Sequence, residues 1–305
     1  KMTQQNKQKC GIISLMGEPN VGKSTLVNQI IGTKISIVTH KAQTTRTRVR
    51  GIKVNKNTQL ILVDTPGIFV PKRRLDRAMV SAAWSGFKEA DIILFMLDVT
   101  RGFSDGARKI LQFMIDKPKC DSPVLLLLNK IDRVKRQDLL SLSEKVNTEF
   151  SFNKTFMISA EKGSGVSDLL KWLTVNVPFS PWLYPADQLA DLPLKGFAAE
   201  VTREKLLKRL HQEIPYQLTV EPDVWVEMSD KSIKIHQLIY VSNKRHKAMI
   251  LGRNGETIKA VSIAARKELK ETLNKEIHLF LQIKVRNNWQ NEPLRFSNMG
   301  LSFID

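Results

Sequence analysis

Acidic residues are in short supply in this chain: 30 Asp and Glu stand against 48 Lys and Arg, a formal net charge of +18. That balance favours a polyanionic partner (RNA, DNA or an anionic membrane surface) without choosing among them. The excess is no tail. Cut at Lys195, the first part carries +12 and the second +6. Cysteine is scarcer still. Cys10 and Cys120 stand far apart, which excludes a disulfide framework and suits a reducing compartment. With five scattered His they show no zinc-ligand spacing, so no structural metal site is expected in the polypeptide itself. Long apolar runs are also missing. IILFML at 92–97 and VLLLL at 124–128 are strand-length, far short of the ~20 residues of a spanning helix. The start, KMTQQNKQKC, has no apolar signal core.

What is present divides in two, and 305 residues fit two domains better than one. Apolar runs at 10–16, 59–63, 91–99, 124–128 and 155–158 predict buried strands, most of them followed by amphipathic stretches. In 165–177, Val166, Leu169, Leu170 and Leu173 share a helical face. Such alternation predicts a parallel sheet with helices on both faces. The proline-rich PFSPWLYP at 178–185 cannot continue a helix and opens a linker over 178–195, its aromatics expected to pack on one domain. Beyond it the pattern runs helix (202–212), strands (216–228 and 231–241), helices (244–251 and 256–273) and strand (277–285).

Four short motifs in the first part carry chemistry. Gly17 to Ser24, GEPNVGKS, matches G-x-x-x-x-G-K-[ST] between a strand and a helix. Its backbone N–H groups and the helix dipole suit phosphate. Lys23 would reach the terminal phosphates, and Ser24 would hold Mg²⁺. Candidate contacts here are Gly17, Asn20, Val21, Gly22, Lys23, Ser24 and Thr25. Asp64-Thr-Pro-Gly67 follows a hydrophobic strand, which places Asp64 at the crevice for Mg²⁺ and the Gly67 N–H near a γ-phosphate. Asn129-Lys130-Ile-Asp132 ends another strand. A carboxylate at Asp132 accepts the two N–H groups of guanine's edge. Adenine leaves it unpaired, at about 1–3 kcal/mol or more. Lys130 can lie along the ring, and Ser159, Ala160 and Glu161 form a further base-contacting loop.

Between the first two motifs lies THKAQTTR, residues 39–46. A loop here can offer a Thr hydroxyl to Mg²⁺ only while γ-phosphate is present, and so can order and disorder with hydrolysis. Thr44 and Thr45 both remain open as that ligand, with Thr45 preferred. Arg46, Arg48, Arg50 and Lys53 are either the solvated face of an edge strand or a partner contact. The motifs occur in order, each after an expected strand, and the arrangement resembles the Ras-like GTPase superfamily. Lys23, Thr45 and Gly67 are then the catalytic candidates, and Ser24, Thr45 and Asp64 the Mg²⁺ ligands. Ras-type enzymes place a water-orienting Gln right after the DxxG glycine. Here Ile68 stands there, so slow intrinsic hydrolysis is expected. Asn20 occupies the place of a K⁺-assisting Asn in some relatives; the alternative is that it stiffens the loop.

In the second part, Gly252-Arg253-Asn254-Gly255 joins two helical segments, with Lys244, Arg245 and Lys247 just before it. KH domains clamp a nucleic-acid backbone with such a loop. The alternative is a helix C-cap and restart. Ile258, Val261, Ala265 and Leu269 form a core stripe in the following helix.

Taken together, GEPNVGKS, QTTR, DTPG, NKID, SAEKGSG and a C-terminal GRNG resemble the Era family of bacterial-type GTPases over nearly the whole chain. The expected fold is α/β. A P-loop GTPase domain with a mainly parallel sheet spans 1–177, the linker 178–195, and an α+β KH domain of type II with a C-terminal tail 196–305. The resemblance implies a cytoplasmic GTP hydrolase that exchanges GTP and GDP, with Mg²⁺ and K⁺ as its candidate cations. It implies binding of 16S-type ribosomal RNA near its 3′ end, assistance to assembly of the 30S subunit, and peripheral contact with the inner face of the membrane. A scaffold in which hydrolysis is incidental, and a tRNA-modification or membrane-transport GTPase, are the alternatives. The latter two call for a modification domain or membrane spans, neither of which the sequence offers.

Overall fold

The computed structural model of the chain describes residues 8–41, 43–116, 121–211 and 214–304; Cys120 and Gln212 lie outside them. Backbone contacts divide it into two units, Lys1–Ser36 with Thr45–Asp191, and Ile37–Thr44 with Leu192–Asp305.

The first unit alternates β1 (Lys9–Met16), α1 (Lys23–Ile31), β2 (Val49–Asn55), β3 (Thr58–Asp64), α2 (Arg74–Glu89), β4 (Ile92–Asp98), α3 (Asp105–Ile115), β5 (Val124–Asn129), α4 (Arg136–Glu149), β6 (Lys154–Ile158), α5 (Val166–Asn176) and β7 (Ala190–Asp191). Among the described residues the sheet order is β6-β5-β4-β1-β3-β2-β7. It is parallel from β6 to β3, while β2 runs antiparallel to β3. Every residue of β3 and β4 is buried, as a strand covered by helices on both faces requires. The order in which strands are added switches sides at β1, whose neighbours are β3 and β4, so the carboxyl ends of β1, β3, β4 and β5 open on one crevice. Those ends deliver the phosphate loop, Asp64, Asp98 and Asn129.

Residues 178–191, read from sequence as most of a linker, lie along this unit. Buried Gln59 accepts from the N–H groups of Leu183 (2.9 Å) and Tyr184 (3.1 Å) and donates to the Tyr184 carbonyl (2.8 Å). Trp182 Nε1 donates to Asn57, and β7 pairs antiparallel with β2.

The second unit follows the helix, two strands, two helices and strand expected: α6 (Leu194–Arg209), β8 (Leu218–Glu227), β9 (Ile233–Val241), α7 (Lys244–Leu251), α8 (Glu256–Leu273) and β10 (Ile277–Val285), with a further α9 (Pro293–Asn298). The sheet order is β10-β9-β8, antiparallel between β8 and β9 and parallel between β9 and β10. One sheet face packs against helices. Val201 and Leu206 of α6, Ile250 of α7, and Val261, Ala265 and Leu269 of α8 meet Ile233, Ile235, Ile239, Val241, Ile277 and Ile283. Burying each of the Val, Leu and Ile side chains among them contributes about 1.5–3 kcal/mol. Helix α6 begins eight residues before the expected start at 202, because apolar Phe197, Ala198 and Val201 extend its buried face.

Candidate nucleotide site and nucleic-acid loop

The phosphate loop leaves β1 and enters α1, as its motif demands. Lys23 is buried, with Nζ donating to the carbonyls of Glu18 (2.9 Å) and Gly17 (3.3 Å). Burial pulls its pKa down to about 8, against the opposing pull of Asp64 and Glu18. Beside it three oxygens converge: Ser24 Oγ lies 2.6 Å from Asp64 Oδ2 and 2.9 Å from Thr45 Oγ1. Burial raises the pKa of Asp64, partly countered by Ser24 and Lys23. Thr44 behaves differently. Its hydroxyl bonds Thr39 Oγ1 (2.6 Å) and the Lys41 carbonyl (2.7 Å). Thr44 and its segment belong to the second unit, where Arg203 donates to the Thr44 carbonyl and Glu204 accepts from the Val38 N–H at 2.9 Å.

Gly67 leaves no room for a side chain. A Cβ there would sit 2.6 Å from Pro19 Cα, so the DTPG turn closes directly on the phosphate loop. Ile68, next in line, donates its N–H to the Gly17 carbonyl at 3.0 Å and buries its side chain in the core.

The base-recognition motif is braced from several sides. Asn129 is buried, donating to the Val21 carbonyl (2.7 Å) and accepting from the Ala160 N–H (2.9 Å). One side chain thus ties the phosphate loop to the loop of Ser159, Ala160 and Glu161. Lys130 Nζ donates to the Asn20 carbonyl at 2.9 Å, with Asn20 itself at φ 67. Asp132 is exposed, and a hydrogen bond from Ser159 holds its carboxyl below the usual range. Thr25 is half-buried beside Ser24, and Glu161 accepts from Arg133 at 3.0 Å.

Two contributors escaped the sequence reading. Asp98 ends β4 and binds Lys130 Nζ. Burial raises its pKa, but the bonds from Lys130 and Thr100 prevail and the net shift is downward. An acid closing a hydrophobic strand was the signal, the same one that marked Asp64. Glu18 accepts from Ser104 Oγ at 2.7 Å, and Ser104 also caps α3 by accepting from the Ala107 N–H. The basic run is not simply the solvated face of an edge strand, since β7 covers the outer edge of β2. Arg46 is buried, and Arg48 and Arg50 both pair with Glu89, at 3.1 and 3.3 Å.

In the second unit GRNG forms the turn between α7 and α8. Gly252 adopts φ 74, ψ 179, and a Cβ there would lie 2.2 Å from Thr257 Oγ1; both facts demand glycine. Asn254 and Gly255 follow in left-handed conformations. Lys244, Arg245, Arg253 and Asn254 are exposed, Lys247 and Gly255 half-buried. His246 points inward, its N–H capped by Asn243 Oδ1 at 2.8 Å.

The sequence family described as "50S ribosome-binding GTPase" matches residues 12–130, and that described as "KH domain" matches 213–290. GTPase Era of Dinoroseobacter shibae is 54% identical over 297 residues, covering 97% of this chain and 96% of the relative. This chain belongs to the Era family of GTPases. GTPase Era of Brucella suis biovar 1 is 53% identical, covering 99% of this chain and 96% of its own. Among solved structures, Era in complex with MgGDPNP and nucleotides 1506-1542 of 16S ribosomal RNA superposes with a TM-score of 0.91 at 35% identity, over 96% of this chain and 99% of that one. A point variant of Aquifex aeolicus Era bound to GDP and aluminium fluoride gives the same TM-score, identity and coverage. The Era relationship accounts for both parts of the chain: the crevice in the α/β unit and the GRNG turn in the unit with the KH topology. No helix among the described residues is long and apolar enough to cross a membrane.

Proposed function

We propose that this chain hydrolyses GTP and, under control of the bound nucleotide, engages 16S-type ribosomal RNA near its 3′ end to assist assembly of the 30S subunit. The observation that carries the reading is the convergence of Ser24 Oγ, Thr45 Oγ1 and Asp64 Oδ2 beside buried Lys23. Hard oxygen donors of this kind suit Mg²⁺. With GTP present the ion would neutralise charge between the β- and γ-phosphates. Lys23 would add its charge there, and the Gly67 N–H would face the γ-phosphate. Asn129 keeps the base loop and phosphate loop in register, and Asp132 selects guanine. The nucleophile is water in line with the scissile bond. Ile68 cannot orient it, so turnover is slow until RNA or a cation assists, with Asn20 the candidate contact for K⁺.

The basic residues around GRNG, namely exposed Lys244, Arg245 and Arg253 and half-buried Lys247, with Asn254, would clamp the RNA backbone, with Gly252 and Gly255 allowing close approach. The relative crystallised with MgGDPNP and a 16S fragment supports this division of labour. The protein works in the cytoplasm and touches the inner membrane face through its net charge of +18. The deciding experiment is in-cell crosslinking with sequencing of the bound RNA, paired with GTP turnover with and without that RNA. Recovery of the small-subunit 3′ region together with stimulated turnover is expected. Random RNA recovery and unchanged turnover would leave only a nucleotide-binding protein.

A further inference from the structure

The sheet of the second unit has two faces, and only one is filled by α6, α7 and α8. The outward residues of β8, β9 and β10 stand in rows set by the strand register. Val224, His236 and Phe280 form one row, and Val226, Lys234 and His278 the next. Toward the other end of the strands, Arg295 of α9 stacks on Tyr240 and pairs with Glu221, closing that part of the face. The two rows stay open: Val226 is 45% and Phe280 51% exposed. The Phe280 ring lies 4.8 Å from that of His236 at a 34° tilt, and Lys234 Nζ sits 5.8 Å from its centroid. Neither row contains a carboxylate. The acids at the margin are mostly engaged, Glu227 with Lys275 (2.7 Å) and Glu276 with Lys270 (2.5 Å), while Asp223 stands exposed at the β8 bulge.

We infer that this open face is a second nucleic-acid surface, on which unpaired bases stack against Phe280 and His236 while Lys234 meets the phosphates. A half-exposed aromatic ring beside a lysine, in rows that themselves hold no carboxylate, offers what single-stranded RNA uses: a π-face for any base and positive charge for the backbone. The surface lies on the side of the sheet opposite α7 and α8, so it is separate from the GRNG turn. The proposal rests on the reading of this chain as an RNA-binding protein.

The test uses the full chain with a GTP analogue and Mg²⁺, and two labelled single-stranded RNAs of mixed sequence, about 6 and about 20 nucleotides long, the longer also prepared with 5-iodouridine. Photocrosslinks to the β10 peptide bearing Phe280 are expected beside those at 244–255. Phe280→Ala should weaken the longer RNA about fivefold or more, the loss of one stacked base, and leave the shorter unchanged. Phe280→Trp should retain affinity where Phe280→Leu, apolar but unable to stack, does not. Lys234→Gln should shallow the salt dependence by about one charge. Crosslinks confined to 244–255 with unchanged affinity would overturn the second surface and leave the GRNG clamp standing. Loss of self-association in Phe280→Ala with RNA affinity intact would overturn it in favour of an interface between copies. Failure of the parent chain to bind either RNA would overturn both readings.

Discussion

Lys130 Nζ lies 2.5 Å from Asp98 Oδ2, so the lysine proposed to lie along the guanine ring is anchored by a buried acid from the neighbouring strand. Asp98 and Asn129 are register partners at the carboxyl ends of β4 and β5, which brings the acid beside the NKID turn. Asp98→Asn keeps the shape and removes the charge. It should weaken GDP binding roughly tenfold, about 1–2 kcal/mol for one charged hydrogen bond. Titration calorimetry on folded protein checks this, and undiminished affinity would mean Lys130 needs no anchor.

Asp132→Asn should shift base preference from guanine toward xanthine. The carboxylate only accepts, whereas an amide can donate to the C2 carbonyl of xanthine. Competition between GTP and XTP measures it. A GTP preference equal to the parent's would remove Asp132 from the base site.

The state of Lys23 gives a pH dependence with a definite sign. Its pKa falls from 10.5 to about 8 in the folded chain without nucleotide, because burial disfavours the charge. Between those values the unfolded chain binds the proton that the folded chain lacks, so nucleotide-free stability rises with pH across that window. Bound phosphate restores the charge. Nucleotide binding therefore takes up a proton above pH 8, and affinity should fall by up to about tenfold per unit. Fluorescent GDP titrations between pH 7 and 9 read the slope, and Lys23→Arg should flatten it. A level profile in the parent chain would show that Lys23 stays charged throughout.

The parts legible in sequence were those whose chemistry is local. The limits of α7, α8 and β10 could be read to the residue, since glycine turns and apolar periodicity mark their ends. Asp64 was visible because a charged residue closing an apolar run is conspicuous. Asp98 closes just such a run, yet it passed unnoticed because no motif surrounds it and its partner is 32 residues away. Strand β2 was legible only as one reading of the basic run, because Arg50 and Lys53 interrupt its apolar residues. Arg48 and Arg50 look solvent-directed in sequence, and only the return of α2 brings Glu89 within 3.1 and 3.3 Å. The choice between Thr44 and Thr45 turns on backbone direction, which two identical neighbours cannot reveal.

Substitution in the GRNG turn should separate binding from folding. Gly252→Asp with Gly255→Asp is expected to weaken RNA binding while sparing GTP affinity. Gly252 alone also carries a folding cost, because any Cβ meets Thr257. Arg253→Glu, at an exposed position, is the cleaner probe. It should weaken RNA about tenfold and shallow the salt dependence, with the thermal midpoint unmoved. Anisotropy with a 3′-end rRNA fragment at two salt concentrations decides the matter, and parent-like affinity in both variants would refute the clamp.

Burial of Ile68 leaves the attacking water without an orienting side chain from that position. GTP turnover should therefore be slow in Na⁺ and faster in K⁺ at equal ionic strength, with Asn20→Ala erasing the difference. Equal rates in the two salts would sink the role of potassium, and rapid turnover in Na⁺ without RNA would show that hydrolysis waits for nothing.

Gln59 and β7 bear on how the protein can be dissected. Trimming the chain after α5 would look natural from sequence, yet it would strip three hydrogen-bond partners from a buried amide and bare the outer edge of β2. An unpaired strand edge invites intermolecular pairing. An excised nucleotide-binding unit should thus stay monodisperse when it ends beyond Asp191 and precipitate when it ends at Asn176, so the proline-rich segment is the hem of the first unit rather than slack between two.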